Sequence, residues 1–449
     1  MSKVIKIRKG LNIRLKGKAE KILVKADASE KYAVKPVDFP GLIPKMIVKE
    51  GETVKAGTPL FMDKNCPEVL FVSPVSGTVE AVVRGEKRRI LEVIVKSDGK
   101  GESEDFSKTK PSELKKESIT EYLLQSGVWP FIRQRPYAIV ANPQDTPKAI
   151  FISCFDTAPL GPDYDYIFQN MEPDFQAGID ALARLTSGKV HLSVHSDFPP
   201  AATFTKAKNV ELHEFSGPHP SSNVGVQIHH IDPVNKGEAV WYVNPQDVLV
   251  IGRLMNKAVY DISKTIVLSG SEVKTPRYYK VIGGCSMTTF ADNIKDGNVR
   301  YISGNVLTGT KVTSEGYLGF YDSQVTVIPE GDHYELLGWA MPGFKKYSAG
   351  RTYFSWLTPN KEYDLDTNLN GGHRSLVVTG QYEKVFPMDI YPEHLVKAIL
   401  AEDVEKMEQL GIYEVAEEDF ALCEFVCTSK TDVQSIIRNG IELMIQEMS

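Results

Sequence analysis

Cysteine is scarce in this chain of 449 residues. There are five, Cys66, Cys154, Cys285, Cys423 and Cys427, odd in number and scattered. That excludes a disulfide framework and reads as reduced thiols. No apolar run reaches the roughly 18 residues that span a bilayer. The opening MSKVIKIRKG carries charge with no apolar h-region behind it. The expectation is a protein that stays in the cytoplasm unless a partner tethers it. An excess of positive charge is also lacking: 52 Lys and Arg stand against 58 Asp and Glu, a net charge of −6. This removes the electrostatic footprint of sequence-independent nucleic-acid binding.

What is present is a chain with 42% hydrophobic residues, too long for one ordinary core and expected to divide into about three or four domains. From Gly41, GLIPKMIVKEGETVKAGTPLF alternates short β-branched strands with turns at Gly51 and Gly57, and Val48, Val54 and Leu60 point into one core. SPVSGTVEAVVRGEKRRILEVIV repeats the scheme, with turns at Pro74, Gly77 and Gly85. Two such sheets face to face make a sandwich that resembles the lipoyl and biotinyl carrier fold. The stretch FMDKNCPEVLFV even sets Lys64 where a carrier presents its attachment lysine. Pro67 lengthens that turn, and Met62 and Asn65 do not supply the methionine flanks of biotinyl domains. Lys64 is therefore read as a solvated hairpin lysine, with a swinging-arm attachment site as the competing reading.

KSDGKGESEDFSKTKPSELKKES is a polar linker running into a capped helix and marks a boundary near residue 100. Beyond it a strand Ala149 to Asp156 leads through a loop to DFQAGIDALARLTSGK, where Phe175, Ile179, Leu182 and Leu185 fall on one helical face and Gly188 stands at the expected C-cap. With VHLSV, Val210 to Phe215 and Val248 to Ile251 as further strands, this reads as a Rossmann-like sheet. The loop TAPLGPDYD after the first strand has one glycine, Gly161, and no G-x-G-x-x-G, so nothing there supports close approach to a pyrophosphate.

The segments PKMIVKEGETVKAGTPLF, SPVSGTV, DFQAGIDAL, FSGPHP, HIDPV and NGGHRS occur in one order along nearly the whole chain. Together they resemble the A-subunit family of the bacterial Na+-translocating NADH:quinone oxidoreductase, which is related to the flavin-bearing subunit of complex I and to the Rnf C subunit. The resemblance implies an α/β multi-domain chain. Its parts would be a barrel-sandwich module over 1–100, a Rossmann-like domain over 101–258, a β-grasp domain of the soluble-ligand-binding type over 259–330, and a mixed β then helical region over 331–449. It implies a peripheral subunit on the cytoplasmic face of the bacterial inner membrane. That subunit would support quinone reduction coupled to Na+ export and would be inactive in isolation. It implies as partners the other five subunits, chiefly the quinone- and flavin-bearing membrane subunit, together with ubiquinone or menaquinone. NADH, FAD, FMN, riboflavin, Fe–S and quinone would be handled by those subunits, with no cofactor bound by this chain. The alternative is an electron-transfer subunit of an Rnf-like or complex I-like enzyme bearing its own flavin or Fe–S cluster.

The residues bear on that choice. A cluster needs about four closely spaced thiolates, and Cys423-Glu424-Phe425-Val426-Cys427 offers two, one helical turn apart. They are read as packed free thiols rather than a metal site. His229-His230-x-Asp232 is read as adjacent strand histidines on opposite faces before an Asp232-Pro233 turn, and no metal ligand is assigned. A quinone slot wants an aromatic flank and a cation or N–H donor to meet developing negative charge. Trp129, Phe131, Arg133 and Arg135 offer that combination, with His373 and Arg374 of NGGHRS and Trp356 as further candidates. The competing reading has Trp129 and Phe131 filling a domain seam while the arginines face solvent or a neighbouring subunit. Glu417-Glu418-Asp419 is read as a solvated helix start. In the C-terminal region, Pro392 opens a helix with Leu395, Ile399, Val404, Met407 and Leu410 as its apolar stripe. A capping box of Thr431 and Gln434 precedes VQSIIRNGIELMIQEM.

Overall fold

Alternation along the N-terminal strands buries one face and exposes the other. In the computed structural model, which describes residues 4–113, 115–338 and 340–448, Val48, Val54, Leu60, Val79, Val93 and Val95 are buried between two small sheets. One sheet orders Lys31–Val34, Ile90–Ser97, Gly77–Arg84 and Thr53–Val54; the other orders Pro44–Met46, Pro59–Asp63 and Leu70–Val72. This is the expected barrel-sandwich. Its strands begin at Lys31, because Ile5–Lys6 and Glu20–Lys25 pair with strands of the two larger sheets. Residues 4–30 thus tie together the parts that follow.

The α/β part carries a seven-stranded sheet in the order Ile5–Lys6, Glu211–Ser216, Lys189–His195, Ala149–Ser153, Val240–Tyr242, Arg133–Arg135 and Ile139–Val140. The first five run parallel and the last two close the edge antiparallel. The helix Glu172–Leu185 forms as its periodicity predicts, with Phe175, Ile179, Leu182 and Leu185 buried. It ends at an extended Thr186 rather than on Gly188. Gly188 is required for a different reason: a Cβ there would lie 1.9 Å from the Lys148 carbonyl.

Val248 to Ile251 do not extend the sheet. They lie in the helix Pro245–Lys257, which Pro245 opens and whose apolar positions continue through Leu254 and Met255. The run resembles a strand because this helix is buried nearly all round, and a short apolar run carries no period of its own. The helix Lys116–Gln125 starts on Lys115 without the side-chain cap expected of it.

The β-grasp part contributes a six-stranded sheet ordered Thr310–Val312, Val299–Ser303, Gln324–Pro329, Ser263–Ser269, Arg277–Ile282 and Glu20–Lys25. After the Gly283-Gly284 turn the chain forms a 3-10 segment, Met287–Asn293, and not a full α-helix. The β structure expected to continue over 335–350 is not found among the described residues, which form turns and irregular chain there.

The C-terminal region is helical, with two corrections. The single helix expected from Pro392 is two, Pro392–Leu400 and Val404–Gln409, broken at Glu402, whose φ is +53°. Leu395, Ile399 and Met407 are still buried, since the break preserves the facing of the stripe. The last helix, Val433–Met448, is capped by Asp432, whose carboxylate accepts from the Ser435 N–H and Oγ, not by Thr431 with Gln434. The Gln434 N–H is taken by Glu424 instead. No helix among the described residues is long and apolar enough to cross a membrane.

Candidate functional site at the carboxyl end of the parallel sheet

In an open α/β sheet, ligands bind outside the carboxyl ends of the strands where the strand order reverses. Here that point lies between Ala149–Ser153 and Val240–Tyr242. Arg133 and Arg135 alternate on the neighbouring strand and so share a face. Arg133 pairs in register with Tyr242. Its guanidinium carbon sits 4.5 Å from the Tyr242 ring centroid and 4.2 Å from that of Tyr321, while Nη2 donates to Asn244 Oδ1 at 2.9 Å. Tyr321 belongs to the β-grasp part, and its hydroxyl donates to the Pro130 carbonyl at 2.6 Å. The crevice is therefore occupied by the chain's own Phe320 to Gln324, whose last member donates from Nε2 to the Pro159 carbonyl.

Arg135 is fully buried. Its Nη1 donates to Asp419 Oδ2 at 3.0 Å and to the Glu414 carbonyl at 3.3 Å, and Nη2 donates to Glu418 Oε1 at 2.8 Å. Burial opposes the charge on Arg135, but the Asp419 and Glu418 carboxylates outweigh it and its pKa rises. Asp419 also accepts from the Ala416 N–H at 2.9 Å. The acidic run is thus not a solvated helix start: Asp419 is 2% exposed, Glu418 holds Arg135, and Glu417 pairs with Arg438. Nor does Arg135 face solvent, because its counter-charges arrive from far along the chain.

Two more acids stand at this point. Asp247 is buried, and burial pushes its carboxyl to about 6 against the pull of Lys264. Half-buried Asp156, in the loop after the first strand, is likewise lifted to about 6. Lys264 is buried as well, donating to the Phe320 and Asp322 carbonyls at 2.7 and 2.9 Å. The arrangement can hold cationic and acidic groups in fixed places at the meeting of three parts of the chain. Asp156, Asp247, Tyr242 and Tyr321 were not singled out in the sequence; the one available signal was the Arg-Gln-Arg alternation, which puts two cations on one face and demands anions or aromatic rings opposite.

Trp129 and Phe131 stand in the same neighbourhood and fill seams. Trp129 is buried, donates from Nε1 to the Ala141 carbonyl at 2.7 Å, and meets Trp241 edge-on at 5.4 Å. Phe131 stacks on Phe320 at 4.5 Å, and Phe39 of the N-terminal part meets Phe320 at 4.8 Å. His373 and Arg374 are not part of this cluster: both are exposed, in chain tied to the C-terminal helices where the Arg374 N–H donates to the Ser429 carbonyl. Trp356 lies in the irregular stretch that exposes Tyr334, Leu336, Met341 and Phe344.

The remaining sequence candidates lie elsewhere in the fold. Lys64 is exposed at its hairpin, and its N–H donates to the Ile43 carbonyl at 2.8 Å. The same hairpin is tied to the α/β part by Gln144 Nε2 on Glu68 Oε1 at 2.8 Å. Cys423 is buried, and that burial drives its thiol well up. Burial acts the same way on Cys427, but the Tyr382 hydroxyl, 3.0 Å from its sulfur, and the Thr431 N–H bring it below the ordinary thiol value. His229 and His230 lie on the helix Val224–Ile231, not on a strand. His229 Nδ1 meets Glu414 at 2.8 Å, while Asp232 pairs with Lys148.

Comparison with known proteins gives three family-model matches in chain order. Residues 5–98 match the NqrA N-terminal barrel-sandwich hybrid domain, 114–260 the NqrA second alpha/beta domain, and 265–314 the NQRA C-terminal domain. The chain is 38% identical over 450 residues to the A-subunit of the Na(+)-translocating NADH-quinone reductase of Pasteurella multocida, covering 99% of this chain and 100% of that one. It is 36% identical over 453 residues to the protein of the same name from Rhodopirellula baltica, covering 99% and 98%. The solved structure of an NAD+-reducing [NiFe]-hydrogenase in the air-oxidized state aligns at a TM-score of 0.39 and 12% identity, over 75% of this chain and 62% of that one.

Proposed function

The chain belongs to the A-subunit family of the Na(+)-translocating NADH-quinone reductase, and from that premise we propose that it is a peripheral subunit which carries no redox centre of its own. One observation carries this reading. The strand-order reversal at which a Rossmann-type cofactor would sit is filled by Phe320 to Gln324, and the buried Arg135 beside it is neutralised by Glu418 and Asp419. Flavin or nucleotide would have to expel the chain from itself. The two thiols of Cys423 and Cys427 supply too few ligands for a cluster.

The subunit then works by contact, on the cytoplasmic face of the bacterial inner membrane. Electron transfer from NADH to ubiquinone or menaquinone, and the Na+ export coupled to it, run through cofactors held by the other five subunits. The docking side is the irregular stretch where Tyr334, Leu336, Leu337, Met341 and Phe344 are each exposed, since large apolar side chains left exposed within one segment mark an interaction surface. Its partner is the quinone- and flavin-bearing membrane subunit. Of the six residues considered for contact with quinone or a partner, exposed His373 and Arg374 serve that side, while Trp129, Phe131, Arg133 and Arg135 hold the three parts of the chain together.

The test is assembly. Leu336→Asp combined with Phe344→Asp should leave the subunit folded but absent from the purified membrane complex. Normal retention of that variant, with normal quinone reduction, would remove the docking assignment.

A further inference from the structure

A second cluster of chemistry lies at the opposite, amino-terminal end of the parallel sheet, away from the candidate site described above. His191 pairs in register with Glu211, and Ser193 with His213. Residues two apart on a strand share a face, so His191, Glu211 and His213 project together. His191 Nδ1 and His213 Nε2 stand 2.9 Å apart, and one ligand atom from each of the three residues lies within 4.8 Å of the others. We propose that His191, Glu211 and His213 form a binding site for a divalent transition-metal ion of the Zn2+ type.

The donor set and its spacing are the first support. Zn2+ takes imidazole nitrogen and carboxylate oxygen at about 2.0–2.2 Å, and a tetrahedral ion then holds its ligand atoms roughly 3.3 Å apart. The facing imidazole nitrogens must open by a few tenths of an ångström and turn so that both lone pairs converge on the ion, and the Glu211 carboxylate must close by up to about 1.5 Å. Protonation is the second. Two ring nitrogens at this distance can share one proton and cannot both keep one. One of the two facing nitrogens is therefore already without a proton and turns its lone pair toward its neighbour. Preorganisation is the third. His191 is 7% exposed and its ring is stacked on Phe151 at 4.8 Å, so its direction is set before any ion arrives.

The surroundings leave a coordination position open. The cluster borders a cleft shared with Lys148, Lys189, His230 and Asp232. His230 Nδ1 donates to the Val226 carbonyl at 2.8 Å, which leaves Nε2 as the unprotonated nitrogen of that ring. Glu211 is paired with Lys189, whose ammonium is mostly exposed and holds one carboxylate oxygen. Such a lysine is displaced at little cost. Zn2+ has no redox chemistry, so a metal here ties two strands together and leaves the proposed function standing whatever the outcome.

The experiment is Zn2+ titration calorimetry on the tag-free full-length chain, with His213→Gln, Glu211→Gln and, as control, His195→Gln from the far end of the strand that carries His191. One equivalent should bind to the wild type and to His195→Gln, and at least tenfold more weakly to the other two. Co2+ in place of Zn2+ should give the visible bands of a tetrahedral site with nitrogen and oxygen ligands. Should His213→Gln fail to fold, Glu211→Gln and the wild-type Co2+ spectrum decide. Absence of stoichiometric binding, equal binding by all variants, or sulfur-to-cobalt charge-transfer bands would overturn the assignment.

Discussion

Arg135 and Asp419 meet at 3.0 Å with both side chains wholly shut off from solvent, and they join the edge of the α/β sheet to the C-terminal helices across 284 positions of sequence. A buried pair adds little net stability, because desolvation offsets the attraction, but removing one partner strands the other charge. Asp419→Leu or Arg135→Met should each destabilise the chain by about 3–5 kcal/mol in denaturant unfolding. The double variant should cost clearly less than the sum. Additive losses would mean that the two groups act independently.

The helices Glu172–Leu185 and Pro245–Lys257 touch backbone to backbone. A Cβ on Gly252 would lie 1.7 Å from the Asp174 carbonyl oxygen, and one on Gly178 2.2 Å from that of Val248. Gly252→Ala should cost about 1–3 kcal/mol or more, since forcing volume into a packed contact moves backbone. Gly372→Ala, with no atom within 4 Å and no left-handed backbone, should be close to neutral. Thermal unfolding of the two variants side by side checks the difference.

His219 ties stability to pH. It is buried in the FSGPHP loop with Thr157 Oγ1 3.1 Å from its Nδ1, and burial lowers it to about 4. The unfolded chain takes up this proton near 6.5 and the folded chain does not until about 4, so unfolding binds protons in that window. Stability is fully present above about 6.5 and falls as pH drops toward 4, by on the order of 3 kcal/mol from this residue. His219→Gln should flatten that limb of the stability curve. An unchanged slope would show that His219 is protonated in the folded state.

Much of this was legible in the sequence where one local period decides. The helix Glu172–Leu185 and the sandwich core at Val48, Val54 and Leu60 follow from spacing alone. Val248 to Ile251 misled because four consecutive buried apolar residues show no period within so short a run. The break at Glu402 rests on a single left-handed residue without a glycine to mark it. The site was legible only in halves: the Arg-Gln-Arg strand and the Glu-Glu-Asp run each stood out. Nothing local says that they neutralise each other, and an acidic run alone reads as solvated. His191 and His213 carried no signal at all, since only strand register brings them together.

Lys64 supplies a separate check on the N-terminal module. Its hairpin is bound to the α/β part through Glu68 and Gln144, which works against a ligase reading the tip as a free carrier hairpin. Intact mass of the full chain from its native host should equal the unmodified sequence mass. An added lipoyl or biotinyl group on a Lys64 peptide would reassign the module.

The claim on which the account stands is that this subunit has no redox centre, its strand-order crevice being occupied by its own chain. The visible absorbance spectrum of the full-length chain, purified without its partners and normalised to protein, measures this directly. The account predicts a colourless protein, with no flavin or iron–sulfur band above the trace level. Stoichiometric yellow or brown absorbance that survives gel filtration would contradict it.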